Sequence, residues 1–289
     1  MRVVILSSSP YSETGCAVAA RLAQLGHVPV GALTLPSWDR KTLLRKVGQW
    51  GLRESYNFAV GKLGPRKSTG TQARNPYLET MLRRGDGIFY SLREVARSFA
   101  FPVATCVDQN SPGALAQLKK WSADLAIFTG GNILREETLK AFRIGVLNSH
   151  LALLPEVRGM SSPEWSLLCG VPLGITIHLM DSGIDTGPIV LRREFSVPGG
   201  CGSLIDLRNR MIAAGIELIA EAVSSYARST VLPAPQANHE PNHEATDCES
   251  DSQFFAMHQR LKAAAERRLR RGQLTAVAAG FQKSDAYDG

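Results

Sequence analysis

Apolar residues recur along this chain with two periods, and the changes from one to the other predict the order of its elements. A β-branched run over Arg2 to Leu6, a helical pattern from Ala17 to Leu25 and a second apolar segment from Val28 to Leu35 form a β-α-β opening. Alternation continues with a helix over Leu92 to Phe99, a strand over Val103 to Cys106, a helix over Pro112 to Trp121 and a strand over Leu125 to Thr129. A helix at Glu136 to Phe142 and strands at Gly145 to Ser149 and Gly174 to Met180 follow. Leu204, Leu207, Met211 and Ile212 then mark a closing helix within Ser203 to Ala227. Strands that alternate with helices predict an α/β fold built on a doubly wound, mostly parallel, Rossmann-like sheet.

The pattern is interrupted twice. Between 38 and 74, Lys and Arg far outnumber acids and turn residues cluster in Gly64 to Gly70, which reads as a basic insertion. Residues 233–252 are rich in Pro, Asn, His, Glu and Asp, a composition that suits a linker. Beyond them Phe254 to Arg271 reads as a solvated basic helix ending at Gly272, with Arg267, Arg268, Arg270 and Arg271 where cations oppose the helix dipole. The expected organisation is one domain over 1–232 carrying the insertion at 38–74, a linker over 233–252, and a basic helix with tail over 253–289.

Composition narrows the class. With 44% hydrophobic and 20% charged residues, a chain of 289 residues buries a sizeable core. The opening apolar run is too short for the core of a signal peptide. No stretch nears the roughly 18 to 20 apolar residues that span a bilayer, so a cytoplasmic protein without membrane association is expected. Five scattered cysteines (Cys16, Cys106, Cys169, Cys201 and Cys248) without a C-x-x-C pair read as reduced thiols, and no metal site is expected. The net charge of +7 admits an anionic partner: a phosphorylated substrate, a polyglutamylated cofactor or nucleic acid. Neither basic segment interleaves aromatics in a recognised nucleic-acid motif, which weighs against the last.

Ligands of such sheets bind outside the carboxyl ends of the strands. The turn after the first strand, Ser7 to Pro10, lacks the G-x-G-x-x-G of a dinucleotide site, which argues against nicotinamide and flavin enzymes. Gly130-Gly131-Asn132 and Asn148-Ser149-His150 do fall at strand ends. Two residues apart on a strand, Asn148 and His150 face the same side. Asp185, in the turn-forming run Gly183 to Pro188, lies on a loop able to reach the imidazole. Taken singly, these are an ordinary cap, a structural histidine and a turn carboxylate. Their joint context carries the weight.

Asn148-x-His150, then Leu153-Leu154-Pro155 with Arg158-Gly159, then Pro163-x-Trp165, then Gly174 to His178, then Asp181 to Ile189 form an ordered chain of submotifs. Through them residues 80–200 resemble the folate-dependent formyltransferase superfamily, which includes methionyl-tRNA, glycinamide ribonucleotide and sugar-nucleotide formyltransferases. The resemblance implies an enzyme that moves a formyl group from 10-formyltetrahydrofolate to an amine, with Asn148, His150 and Asp185 as the catalytic trio. The chemistry needs those types: an amide donor for the developing oxyanion, a base near neutrality for the amine proton, and a carboxylate to orient it. The resemblance also implies that the folate lies between Gly131, Asn132, Ile133 and Leu134 on one loop and Met180, Asp181, Gly183 and Ile184 on another. Ile133 and Leu134 would flank its ring, and His178 is expected to be structural.

Departures from the subfamilies narrow the acceptor. The Ser7 to Pro10 turn is not the glycine-rich phosphate loop of the glycinamide ribonucleotide enzymes, and no β-rich basic domain of the tRNA type is legible after 233. The amino-terminal regulatory domain of the related deformylases is not legible either. A small, anionic amine remains, of the amino-sugar nucleotide or N-hydroxy amino acid type, with Arg158, Arg45, Lys46, Arg66 and Lys67 as its expected binding residues. The alternatives are a non-catalytic folate-binding or interaction module, and a methionyl-tRNA-type enzyme without the usual C-terminal domain. A homodimer is left open.

Overall fold

The computed structural model describes residues 1–37, 74–197, 199, 201–228, 253–254 and 256–271. The basic stretch, apart from Arg74, and the 233–252 linker lie outside the described residues, as do Arg45, Lys46, Arg66 and Lys67. Strand β1 (Val3–Ser7) is buried along its whole length, which is why its apolar run is continuous rather than alternating. It pairs in parallel with β2 (Gly31–Thr34) on one side and with β6 (Leu125–Thr129) on the other. Beyond β2 lies β5 (Val103–Thr105), and beyond β6 lies β7 (Gly145–His150), both parallel. Then β9 (Gly174–Leu179) and β10 (Ile189–Glu194) add as antiparallel strands, giving a seven-stranded sheet in the order β10-β9-β7-β6-β1-β2-β5. The chain runs outward from β1 to β2 and β5, then returns past β1 to β6. Strand order therefore reverses between β1 and β6, and the crevice at their carboxyl ends is where such sheets take ligands.

The alternation of side chains splits the core into two layers. Val3 and Ile5 join one buried cluster, with Ile127, Leu147, Ile175 and Ile177; Val4 and Leu6 join the other, with Leu33, Ala126 and Val146. Helices α1 (Glu13–Gln24), α3 (Leu92–Phe99) and α7 (Leu204–Arg228) cover the first face. Helix α4 (Pro112–Trp121) covers the second through Ala114, Leu118 and Trp121, beside the short α5 (Glu136–Leu139). Between β2 and α3 come a 3₁₀ turn (Pro76–Leu78), the short α2 (Glu79–Leu82) and a small hairpin of β3 (Arg83–Arg84) and β4 (Gly87–Ile88). Serine side chains cap three helices: Ser12 Oγ accepts from Gly15 N, Ser91 Oγ from Glu94 N and Ser111 Oγ from Ala114 N. Each such cap contributes about 1 kcal/mol.

The carboxyl-terminal stretch differs from expectation. Phe254 is not helical but forms, with Gln253, strand β11 (Gln253–Phe254), parallel to β8 (Arg158–Gly159). The helix, α8 (Gln259–Arg270), begins only at Gln259, and it is not solvated all round because Ala265 and Leu269 are buried in the first core cluster. Its Arg268 Nη1 donates to the carbonyls of Leu167 and Leu168 at 3.0 and 2.6 Å, near the end of α6 (Ser162–Cys169). A cation there satisfies carbonyls that have no partner within their own helix. Helix α6 is in turn held to α7 by the buried carboxylate of Glu164, which takes two hydrogen bonds from Arg208.

Cys16, Cys106, Cys169 and Cys201 are free thiols, and burial pushes Cys16 up to about 12, far from nucleophilic character. Among the described residues, no helix is long and apolar enough to cross a membrane.

Candidate active site

Strand β7 carries Asn148 and His150 to its carboxyl end, and the antiparallel register with β9 sets His178 directly opposite Asn148. Cross-strand partners in this position touch, and Asn148 Nδ2 lies 3.1 Å from His178 Nε2. The loop after β9 folds back because Asp181 Oδ1 accepts from Gly183 N at 3.0 Å and from Thr186 Oγ1 at 2.6 Å. Gly187 lets the loop close: a Cβ there would overlap the Leu179 carbonyl. Within this loop Asp185 adopts φ +54°, a left-handed conformation that Asp tolerates better than most residues. Its carboxylate then stands between two imidazoles, with Oδ2 3.3 Å from His150 Nδ1 and Oδ1 3.5 Å from His178 Nε2. A third contact comes from Gly159 N, which donates to Oδ2 at 2.9 Å. The three expected residues are thus brought together, and His178 joins Asn148 to Asp185.

A carbonyl only accepts, which sets the tautomer of His150 through its short contact with Val157. His150 Nε2 donates to the Val157 carbonyl at 2.7 Å, and His178 Nδ1 lies 3.1 Å from the Leu179 carbonyl. In the neutral His150 ring Nδ1 is therefore the lone pair, whereas His178 Nε2 faces both the Asn148 amide and Asp185 Oδ1. A proton added to His150 goes to Nδ1, beside Asp185. Burial, the largest influence, holds His150 below the ordinary imidazole range against the raising effects of Asp185 and the Val157 carbonyl; His178 lowers it further. For Asp185 burial is again the largest single influence and pushes upward. The His178 hydrogen bond, the His150 charge and the Gly159 N–H together outweigh it, so its carboxyl lies below the usual range. The outcome is a neutral, buried base next to an ionised carboxylate.

The two loops expected to hold the folate flank this centre. Gly131, Asn132, Ile133 and Leu134 follow β6, in a loop fixed by two side chains that sequence reasoning missed. Gln109, fully buried, accepts from Asn132 N at 3.1 Å, while Asn132 Oδ1 accepts from Gln109 N at 3.2 Å. Gln109 Nε2 reaches the carbonyls of Ser7 and Gly130, one on each side of the crevice. Asn110 donates to the Ile133 carbonyl and accepts from Arg135 N at 2.7 Å. A run of amides before a capped helix was the only sequence signal for these roles. Gly131 has φ +151°, and a Cβ would overlap the Gln109 side chain. Ile133 is 87% exposed, but Leu134 is buried in the second core cluster, so of this pair only Ile133 faces outward. Across the crevice Met180 packs against the same cluster, whereas Asp181, Gly183 and Ile184 are exposed. Arg158 lies in β8, next to Gly159.

With this geometry in view, the likeness to known proteins is specific. Residues 89–223 match the Formyl transferase family. Methionyl-tRNA formyltransferase of Thermodesulfovibrio yellowstonii is 30% identical over 147 residues, covering 50% of this chain and 47% of that protein. The enzyme of the same name from Cyanothece sp. is 36% identical over 126 residues, 43% of this chain and 37% of the relative. The chain matches about half the length of these curated relatives. Phosphoribosylglycinamide formyltransferase from Bacillus halodurans superposes with a TM-score of 0.51 at 17% identity, over 80% of this chain and 97% of that one. Glycinamide ribonucleotide transformylase 1 from Symbiobacterium toebii does so with a TM-score of 0.50 at 20% identity, over 78% and 87%. At such identities the structures speak for the fold. Shared fold and a family match spanning both β7 and the Asp185 loop point the same way: residues 89–223 carry the match to the Formyl transferase family, and the architecture around them is similar to that of the solved formyltransferase structures.

Proposed function

We propose that the protein is an N-formyltransferase that moves the formyl group of 10-formyltetrahydrofolate to the amine of a small, anionic acceptor. The observation that carries this is Asp185, which stands between His150 and His178 while the other nitrogen of each ring lies against a backbone carbonyl. The folate supplies an electrophilic formyl carbon. Asn148 retains a second amide hydrogen beyond the one directed at His178 and donates it to the formyl oxygen as negative charge develops there. His150 Nδ1 takes the proton that the attacking amine sheds, and Asp185 stabilises the resulting imidazolium. The same proton is then at hand for the folate nitrogen as its bond to the formyl carbon breaks.

The residues present fit a planar carrier. Gly131 brings bare backbone to the crevice, and Ile133 and Ile184, 87% and 48% exposed, are apolar side chains on its two rims that a ring would cover. For the acceptor, a cavity of about 170 Å³ lies beyond β1, lined by Tyr11, Glu13, Cys16, Arg74, Phe89 and Tyr90. Arg74, the last residue of the basic stretch, lies 4.3 Å over the Tyr90 ring and provides a cation, and Glu13 Oε1 is a buried acceptor without a partner. Arg158 and the basic residues Arg45, Lys46, Arg66 and Lys67 complete the proposed acceptor contacts. The sequence relatives favour a second reading, an aminoacyl-tRNA acceptor. Incubation with 10-formyltetrahydrofolate and a panel containing amino-sugar nucleotides, N-hydroxy amino acids and methionyl-tRNA separates the two. Acceptor-dependent consumption of the donor with a small amine supports the first; formylation of methionyl-tRNA alone supports the second.

A further inference from the structure

Val157 and Gly159 each present a backbone group to the reacting side chains, and the far side of the same loop is bound by a segment distant in sequence. His150 Nε2 donates to the Val157 carbonyl, and Gly159 N donates to Asp185. On the other side, β11 pairs with Arg158 and Gly159, and Met160 N donates to the Phe254 carbonyl at 2.9 Å. Met257 N donates to Ser161 Oγ at 3.2 Å. The Phe254 ring stacks on Trp165, with centroids 4.7 Å apart and planes at 23°, and packs against a small cluster of Ala152, Val157 and Val171. Gly159 is shaped for this partner. At φ +89° it is strained for other residues, and a Cβ would overlap the Phe254 carbonyl.

We propose that Phe254 is a positioning residue of the site: the C-terminal segment clamps residues 157–161 and so fixes the two backbone groups that orient His150 and Asp185. The clamp is anchored away from the loop by the buried Ala265 and Leu269 of α8 and by Arg268 on the end of α6. A two-residue ladder holds little by itself, whereas a loop pinned from both sides keeps its groups within the roughly 0.5 Å that a preorganised site requires. The charged and titratable groups facing His150 are Asp185 and His178, so a slip of this loop changes the ring's partners without introducing a new charge. The proposal rests on the catalytic roles given above, and its test includes a readout independent of them.

Full-length Phe254→Ala, Phe254→Trp and Leu269→Asp variants would be labelled with ¹⁵N-histidine, the His150 ring signals identified with His150→Asn, and tautomer and titration followed alongside transfer kinetics. The clamp predicts that Phe254→Ala moves His150 from the Nε2–H form towards a mixture. It also predicts kcat down by about tenfold with the donor KM within about twofold, and largely restored values in Phe254→Trp. Leu269→Asp, remote from the loop, should act in the same direction. Wild-type ring signals and wild-type kcat in a folded Phe254→Ala variant would overturn the proposal, and that variant decides alone if Leu269→Asp does not fold. A wild type without transferase activity whose His150 signals still change in Phe254→Ala would sink the proposed activity and retain the clamp.

Discussion

At the scale of the residue, the site depends on where one proton sits. The neutral His150 ring turns a lone pair towards Asp185, and burial keeps it in that state until the pH falls below the ordinary imidazole value of about 6.5. Turnover should therefore be flat above about pH 6.5 and decline as the solution becomes more acidic, because the protonated ring no longer accepts from the amine. His150→Ala should lower turnover by at least about a hundredfold with donor affinity nearly unchanged, measured by steady-state kinetics and donor titration. Asn148→Asp should be worse than Asn148→Ala, since it places an anion where negative charge develops. If the aspartate variant retains more activity, the amide is not an oxyanion donor. Asn148, His150 and Asp185 were legible as a group because β7 displays alternate residues on one face and the motif order marks the loop. His178 was undervalued because its contact with Asn148 is a cross-strand register, which no local pattern encodes.

At the scale of the element, the crevice depends on loops held by side-chain amides. Gln109 bridges Ser7 and Gly130 across the point where strand order reverses, and pairs reciprocally with Asn132. Gln109→Ala should leave those backbone groups without their partner and let the 130–134 loop drift. We expect the donor KM to rise about tenfold, equivalent to about 1.4 kcal/mol, with kcat changed much less. An unchanged donor KM would show that this loop does not hold the carrier. Six of the seven strands of the main sheet and the long helices were readable because their apolar periods are strong: α3, α4 and β6 begin and end where the pattern placed them, whereas the edge strand β10, with its exposed Arg193 and Glu194, was not placed. The amide bridges were not, since Gln109 and Asn110 resemble any polar residues preceding a helix cap. Phe254 was assigned to a helix because the apolar spacing that follows it is helical. Its ring instead stacks on Trp165, a tertiary contact that overrides the local preference.

At the scale of the whole molecule, the acid response and the acceptor specificity are the properties to test. For Asp185, held below its ordinary value, the stabilisation is present above about pH 3.9 and is lost as pH falls through the folded value. For His150, also held below its ordinary value, the unfolded chain takes the proton first below about pH 6.5, so the fold weakens there as well. Both effects make stability rise with pH across the acid range. Thermal unfolding should give a Tm that falls as pH drops from about 6.5, with a shallower fall in His150→Asn, where one of the two groups is gone. A fall equally steep in that variant would remove His150 from the account of acid sensitivity. The net charge of +7 was legible from composition, but the acceptor was not, because composition does not say where cations converge. Neutralising Arg45, Lys46, Arg66 and Lys67 together should raise the acceptor KM several-fold while donor affinity changes much less. Unchanged acceptor kinetics at low salt would move the acceptor to Arg158 and its loop.

The central claim, that Asn148, His150 and Asp185 transfer a formyl group, is tested most directly by a single-turnover experiment with 10-formyltetrahydrofolate labelled in its formyl carbon. Enzyme in excess over donor is mixed with the acceptor found by the panel, and label in the formylated amine is followed in time. The account predicts transfer in the wild type and rates at least about a hundredfold lower in Asn148→Ala, His150→Ala and Asp185→Asn, each still binding the donor. Label reaching the amine at the wild-type rate in any folded one of these three variants would contradict it.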